Sequence, residues 1–445
     1  MGADMPKNTT EQNRMRLGWF INYLTPAWNQ PWSGNAGAEW MTGEFFVDMA
    51  RALDRANFDV MMLEDSTYIA DIYGGSSQAE LKHTVRAPKN DPLPLIPLLA
   101  AATEQLGFVA TMSTSFYQPF LLARLMTTLD HLTEGRVGWN IVTSSGNLSA
   151  QNFGMDQLPP HDERYEIAEE FVEVVTKLWN SWDQDAVVMD RETGTYVDSD
   201  RVHTIDHHGR FFDVRGPLNA LPPLQGRPPV FQAGGSPQGR SFAAKHADTI
   251  VSSAKGVDEM RQYRDEVRAK AVEFGRNPDD IRILYMVSPF IEATDELAAR
   301  RRAERFAITD ERAQRRLLMM SDEIDFAQFS LDEPLPAFET DGSKSILAAF
   351  QKWGAGRPLR EAAASDEFEA VPLCGTPATV ADQMQEVFEE VGGDGFLIFA
   401  GGGGMITRRY IDQVCDGLVP ELQRRGLVRS TQPEGYFKQR LLSND

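Results

Sequence analysis

Hydroxyls and amides crowd the ends of the apolar runs in this chain, where acids and bases are few. Glu64-Asp65-Ser66 closes one run. Thr111, Ser113 and Ser115 stand in and after a second, Asn140, Thr143, Ser144 and Ser145 in and after a third, and Gly234-Gly235-Ser236 follows a fourth. Most of these groups make hydrogen bonds without titrating near neutrality. They suit a polar heterocycle and a phosphate. They suit glycoside hydrolysis poorly, because it wants two opposed carboxylates, and the adjacent Glu64 and Asp65 cannot flank a bond. Asn140 lies between Trp139 and Ile141, and an amide buried in such a strand is costly unless it is used. His161 and Tyr165 lie one helical turn apart on one face. His161 reads as the cap of its helix, and a helix start favours phosphate. Gly401–Gly404 is either a backbone cradle for phosphate or a tight turn. His203, His207 and His208 lack the carboxylate or cysteine spacing that would complete a metal site, so no metal is expected.

These residues share a site only if the elements carrying them end on one side of the fold. Apolar β-type runs at 15–21, 59–64, 108–113, 136–143, 229–233, 248–252, 280–288 and 394–399 alternate with helical patterns. Helices are expected at 42–56 with Thr42 as N-cap, 92–105, 119–132, 162–182, 237–245, on to 274, 294–320, 379–391 and 406–424. About eight βα units imply a parallel sheet with helices outside. A doubly wound sheet would need a Gly-rich turn after its first strand, and Ile21-Asn-Tyr-Leu-Thr-Pro is none. The pattern therefore predicts a single (β/α)8 TIM barrel, with insertions after strand 4 (183–227, a hairpin and loop) and after strand 7 (321–374). Residues 1–14 are expected to be a flexible N-terminus, and the polar tail 426–445 to wrap a surface. In such barrels the carboxyl ends of the strands carry the chemistry.

The charge balance is 44 basic against 65 acidic residues, net −21, which opposes nucleic-acid binding. No stretch approaches the ~18 consecutive apolar residues of a membrane span. The polar residues 1–13 do not read as a signal peptide. Two distant cysteines, Cys374 and Cys415, give no disulfide framework and suit a cytoplasmic protein.

Several strings are far more specific. They are Leu129-Asp-His-Leu-Thr-Glu-Gly-Arg-Val-Gly-Trp-Asn-Ile-Val-Thr-Ser144, Ala150-Gln-Asn-Phe-Gly154, His161-Asp-Glu-Arg-Tyr165, Gly209-Arg-Phe-Phe-Asp-Val-Arg-Gly-Pro-Leu218 and Gln232-Ala-Gly-Gly-Ser-Pro237. Together they resemble the nitrilotriacetate and dibenzothiophene-sulfone monooxygenase branch of the bacterial luciferase-like superfamily, over about residues 15–425. The resemblance implies a TIM barrel, a homodimer or homotetramer, and O2 as co-substrate. It also implies reduced FMN supplied by a separate NAD(P)H-dependent flavin reductase. Carried over by motif, the flavin contacts are Asp65, Thr111, Asn140, His161, Tyr165 and Ser236. Thr111 and Asn140 take the catalytic role, and His161, Tyr165 and Ser236 the ribityl chain and phosphate. The general barrel rule would put phosphate in the loops after strands 7 and 8; the motif is preferred.

Oxygen chemistry belongs to a cofactor, so few acid–base groups are expected. Aromatic residues load the region around the first strand and its loop: Trp19, Phe20, Tyr23, Trp28, Trp32, Trp40, Phe45 and Phe46. At least half should be core. No Arg or Lys occurs in 17–50, although Lys82 and Arg86 lie in the next loop. This favours an aromatic, organosulfur or halogenated small molecule over an aminopolycarboxylate. Two rivals stand beside it: a deazaflavin-dependent hydride-transfer oxidoreductase and a non-catalytic flavin-binding barrel.

Overall fold

The computed structural model describes residues 14–28, 37–321, 323–336, 351, 354–364, 369–399 and 406–443. Eight parallel strands close a barrel: β1 (Arg16–Asn22), β2 (Val60–Glu64), β3 (Gly107–Ser113), β4 (Val137–Val142), β5 (Val230–Gln232), β6 (Thr249–Ser252), β7 (Arg282–Val287) and β8 (Gly395–Ile398). The ring closes where β1 pairs with β8, Arg16 opposite Gly395 and Trp19 opposite Ile398. All eight strands expected from the alternation are present. Residues 1–13, Trp32 and Gly401–Gly404 lie outside the described residues.

Side chains alternate across each strand, and the barrel sorts them into two cores. Leu17, Trp19 and Ile21 of β1, with Phe108, Ala110 and Met112 of β3, point out against the helices. Val60, Met62, Val109, Phe231, Val251, Leu284 and Leu397 fill the interior.

Several local expectations give way to tertiary effects. Thr42 does not cap the first helix. It ends a short 3-10 turn, and Gly43, at φ 80°, supplies the left-handed turn into Glu44–Arg55. The helix expected to run to residue 105 is only Leu95–Ala101. The Asp54 carboxylate takes the N–H groups of Glu104, Gln105 and Leu106 at 2.8–3.0 Å. The single helix expected over 294–320 is two, Asp295–Arg305 and Asp310–Met320, each started by a threonine cap, Thr294 and Thr309. The first insertion holds two short hairpins, Val187–Asp190 with Thr195–Val197 and His207–His208 with Asp213–Val214. The helix over 406–424 is three joined pieces, with a wider turn at Gln413–Leu418.

The tail does not wrap a surface; it plugs the amino-terminal end of the barrel. The helix Phe437–Leu442 drives Phe437 and Leu441, each 1% exposed, into the interior core. Phe437 stacks on Phe231 with ring centroids 6.2 Å apart. A Cβ at Gly107 would overlap the Phe437 ring, so β3 begins with glycine for space. Buried guanidiniums hold the last carbonyls of this helix. Arg16 donates to Leu441 O at 3.2 Å, Arg429 to Arg440 O at 2.9 Å and Arg282 to Leu442 O at 2.5 Å. Asp59 balances Arg429 at 3.1 Å while accepting the Leu17 N–H at 2.8 Å.

Phe437→Ala should lower unfolding free energy by about 3–5 kcal/mol, the usual cost of emptying a buried aromatic site. Urea unfolding of the two proteins checks this. A loss below about 0.5 kcal/mol would mean the helix merely lies on the surface.

Candidate active site

The carboxyl ends of the strands open into a cavity of about 930 Å³, whose wall includes Asp65, Thr111, Asn140, His161, Tyr165 and Ser236. Residues from five separate stretches of chain thus meet at one place, because every parallel strand delivers its end to the same rim.

Thr111 and Asn140 are register partners on β3 and β4. Asn140 Nδ2 donates to Thr111 Oγ1 at 2.9 Å. The Thr111 hydroxyl proton is then free to be donated elsewhere. Asn140 is 4% exposed, and its Oδ1 is buried without a hydrogen-bond partner among the described residues. Next to it on the wall, Gln232 at the end of β5 is also 4% exposed, with Oε1 buried and, among the described residues, unpartnered. Two buried acceptors on one cavity wall are a demand for donors, since an unsatisfied buried polar atom costs about 1–3 kcal/mol. The sequence reading missed Gln232 as a site residue. The available signal was the one that singled out Asn140, an amide at the end of an apolar strand.

A second group forms a hydroxyl shelf. Ser236 is the N-cap of the helix Pro237–His246, its side chain accepting from Gly239 N at 3.0 Å. The Tyr165 phenol lies among Ser236, Thr143 and Gln232, whose polar groups favour its ionised form. Burial pushes the phenol pKa up, so it stays a neutral donor. A Cβ on Gly239 would come within 2.8 Å of the Tyr165 oxygen; glycine there lets the phenol sit at the helix start. His161 packs against Tyr165 with ring centroids 5.2 Å apart, and its Nδ1 meets Asp162 at 2.8 Å. His161 does not cap its helix. It is the first residue of His161–Trp179, and Pro160 takes the cap position without a side-chain bond. Arg164 adds a buried cation to the same wall.

Asp65 lies just past β2, facing Lys89. Burial raises its carboxyl pKa to about 7, with Glu64 and Asp91 adding to the rise and Lys89 opposing it. Lys89 itself bonds Glu64 Oε2 at 2.5 Å and Ser66 Oγ at 2.7 Å. The far side of the cavity is apolar, with Phe20, Leu24, Phe45, Phe46, Phe399 and Ile406. Of the aromatic set around β1, Trp19, Tyr23, Trp40, Phe45 and Phe46 are core, while Phe20, Phe45 and Phe46 also reach the cavity. Trp28 is 52% exposed. The three histidines of the first insertion have separate partners: His203 with Asp183, His207 with Glu170 and His208 with Asp213. Among the described residues no group of three or more His, Cys, Asp or Glu is placed to hold a metal ion.

The raised Asp65 pKa predicts a pH-dependent stability. The folded protein binds this proton more tightly than the unfolded chain, whose Asp titrates near 3.9. Stability is therefore lost as pH rises from about 4 through about 7, and the penalty is complete above that. Asp65→Asn should stabilise the apoprotein at pH 8 by roughly 1–4 kcal/mol and bring no such gain at pH 4. Urea midpoints at both pH values check it; a gain independent of pH would contradict the assignment.

Comparison with known proteins adds the family. A model described as luciferase-like monooxygenase matches residues 15–395. Dimethyl-sulfide monooxygenase of Hyphomicrobium sulfonivorans is 36% identical over 426 residues, covering 94% of this chain and 87% of that protein. Nitrilotriacetate monooxygenase component A of Aminobacter aminovorans is 33% identical over 409 residues, covering 88% of each. A crystal structure of riboflavin lyase with modified FMN and riboflavin superposes with a TM-score of 0.86 at 29% identity, covering 96% of each chain. The strings around Asn140, His161 and Ser236, the closed barrel and these matches agree: the chain belongs to the luciferase-like monooxygenase family.

Proposed function

We propose that this chain is the oxygenase of a two-component system. It uses reduced FMN, delivered by a separate NAD(P)H-dependent flavin reductase, and O2 to oxygenate a small, largely apolar substrate. The observation that carries this is the pair of unpartnered buried acceptors, Asn140 Oδ1 and Gln232 Oε1, on the wall of a cavity that also holds a hydroxyl shelf. That donor and acceptor set fits a flavin, whose ring brings N–H groups and whose tail ends in a phosphate.

Bound reduced FMN would supply the electrons that activate O2. The chain's own residues hold and shield it. Ser236, Tyr165 and His161 take the ribityl chain and phosphate at the start of the helix Pro237–His246. The net charge of −21 offers anions no general attraction, so this local shelf must do the binding. Asp65, carrying a proton over part of the neutral range, hydrogen-bonds the ring from the β2 side. Thr111 and Asn140 aim a hydroxyl and an amide at the charge that develops on oxygen during reaction, and the apolar wall keeps water out.

The same wall supports the substrate class. Lys89 is held by Glu64 and Arg86 by Glu80, and Lys82 is exposed, away from the cavity. A polycarboxylate would have to displace a carboxylate already in place, whereas a neutral aromatic, organosulfur or halogenated molecule meets phenylalanine. The homodimer or homotetramer and the cytoplasmic setting belong to the same reading; the unpaired Cys374 and Cys415 suit a reducing compartment. Incubation with FMN, a flavin reductase, NADH and a panel of such substrates tests it. Substrate-dependent O2 uptake with oxygenated product is expected. Hydride transfer from a reduced deazaflavin without O2 uptake would replace this reading, as would FMN binding with no substrate-dependent turnover.

Asn140→Ala and Thr111→Val should each lower the oxygenation rate by about 10²–10³, because preorganised donors act on charge absent from the ground state. Reduced-FMN affinity should fall less, by about 1 kcal/mol for Asn140→Ala, which removes the Oδ1 acceptor, and by little for Thr111→Val. The paired measurement is that affinity and product formed per flavin oxidised. Normal yield at normal rate would sink the proposal, and equal loss of stability, affinity and rate would reduce the pair to a core network.

A further inference from the structure

The roof of the cavity does not come from the barrel. Met319, near the end of the helix Asp310–Met320, lines the cavity from the chain that follows β7. This helix belongs to a separate small core, in which Ala313, Leu317 and Met320 pack with Phe326 and Leu359. The loop after β2 also holds this helix, through Tyr73 against its small core and His83 Nδ1 4.0 Å from Glu311 Oε1. The contact nearest Met319 is made by Arg86.

Arg86, in the loop after β2, donates from Nη1 to Leu318 O at 3.0 Å and from Nη2 to Met319 O at 2.6 Å. These carbonyls lie in the last turn of the helix, where intrahelical donors run out and a cation is favoured. The guanidinium is in turn held by Glu80, whose side chain is fully buried. Its Oε2 lies 3.3 Å from Arg86 Nη1, and its Oε1 accepts the Arg86 N–H at 2.7 Å. Farther out, Gly74 N donates to Asp325 at 2.8 Å, joining the same two segments. The planar fork of arginine can reach both carbonyls and the carboxylate at once; lysine has no such geometry.

We infer that Met319 is a specificity-determining residue of the cavity and that Arg86 is the positioning residue that holds it there. The inference rests on the proposed reading only for what enters the cavity. Met319 closes the apolar compartment over the substrate, and its size limits how bulky that substrate can be. Arg86 also borders the cavity, but its guanidinium is taken up by Leu318 O, Met319 O and Glu80, so its part is to position Met319.

The test uses the whole chain and needs no turnover. Hydrogen–deuterium exchange of the apoprotein reports the clamp. Affinity for two probes, dibenzothiophene sulfone and the smaller methyl phenyl sulfone, is measured by calorimetry on the complex with oxidised FMN. Arg86→Gln should raise exchange across 312–320 by about tenfold or more while the barrel strands keep their protection. Arg86→Lys should not restore protection. Met319→Ala should leave that exchange unchanged and shift the affinity ratio toward the bulkier sulfone by about fivefold or more. Arg86→Gln should shift the ratio the same way, whereas a merely structural defect would weaken both probes alike. Unchanged exchange in Arg86→Gln, an unchanged ratio in Met319→Ala, or failure of the smaller probe to bind the natural chain would each overturn the inference. Both probes binding without being oxygenated would tell only against the proposed activity.

Discussion

The amide of Asn140 stands at the cavity end of the barrel, with Nδ2 held by Thr111 and Oδ1 left without a partner among the described residues. An acceptor left unmet at that depth costs stability. The rest of the structure makes sense as the setting for that exposed need. Parallel strands send every carboxyl end to one rim, so Asp65, Thr111, Asn140 and Ser236 share a cavity although 171 residues separate the first from the last (236 − 65). The opposite end can then be closed with hydrocarbon. Phe437 and Leu441 do this from the tail, and a ring of buried arginines fixes the backbone that carries them.

The division of labour follows from charge. A strongly acidic surface leaves the binding of an anionic group to a local device. In the proposed reading the Ser236–Tyr165 shelf at a helix start is that device, with its hydroxyls and backbone N–H groups beside the buried Arg164. On the other side, cations are present but committed, Lys89 to Glu64 and Arg86 to Glu80. The Lys89 and Arg86 charges beside the apolar wall are therefore neutralised by their own carboxylates. Such a space suits a flavin edge meeting a neutral substrate.

Much of this was legible in the chain itself. Eight apolar runs separated by helical periodicity imply a barrel, and strand-end hydroxyls and amides imply where its cavity is polar. What escaped was set by tertiary contact. Thr42 looks like a cap, but Gly43 sets the turn. His161 looks like a cap, but Pro160 already holds that position. The tail reads as polar because only Phe437 and Leu441 carry its apolar face, four residues apart, and their target is a barrel end that no local pattern announces. Arg86 and Met319 lie 233 residues apart, and an amphipathic helix in an insertion gives no sign that one methionine faces a cavity. Gln232 was the avoidable omission, since it stands to β5 as Asn140 does to β4.

The central claim is that the shelf at Ser236 holds the cofactor's phosphate. Ser236 also caps a helix, so loss of affinity in Ser236→Ala alone would be ambiguous, because cap removal by itself costs about 1 kcal/mol. The decisive quantity is a ratio: anaerobic affinity for reduced FMN divided by that for reduced riboflavin, which lacks the phosphate. Damage to the helix cap affects both ligands and cancels. The account predicts that the natural chain prefers FMN and that Ser236→Ala narrows this preference by about 1–3 kcal/mol. An unchanged ratio, with both affinities falling together, would contradict it and leave Ser236 as a helix cap only.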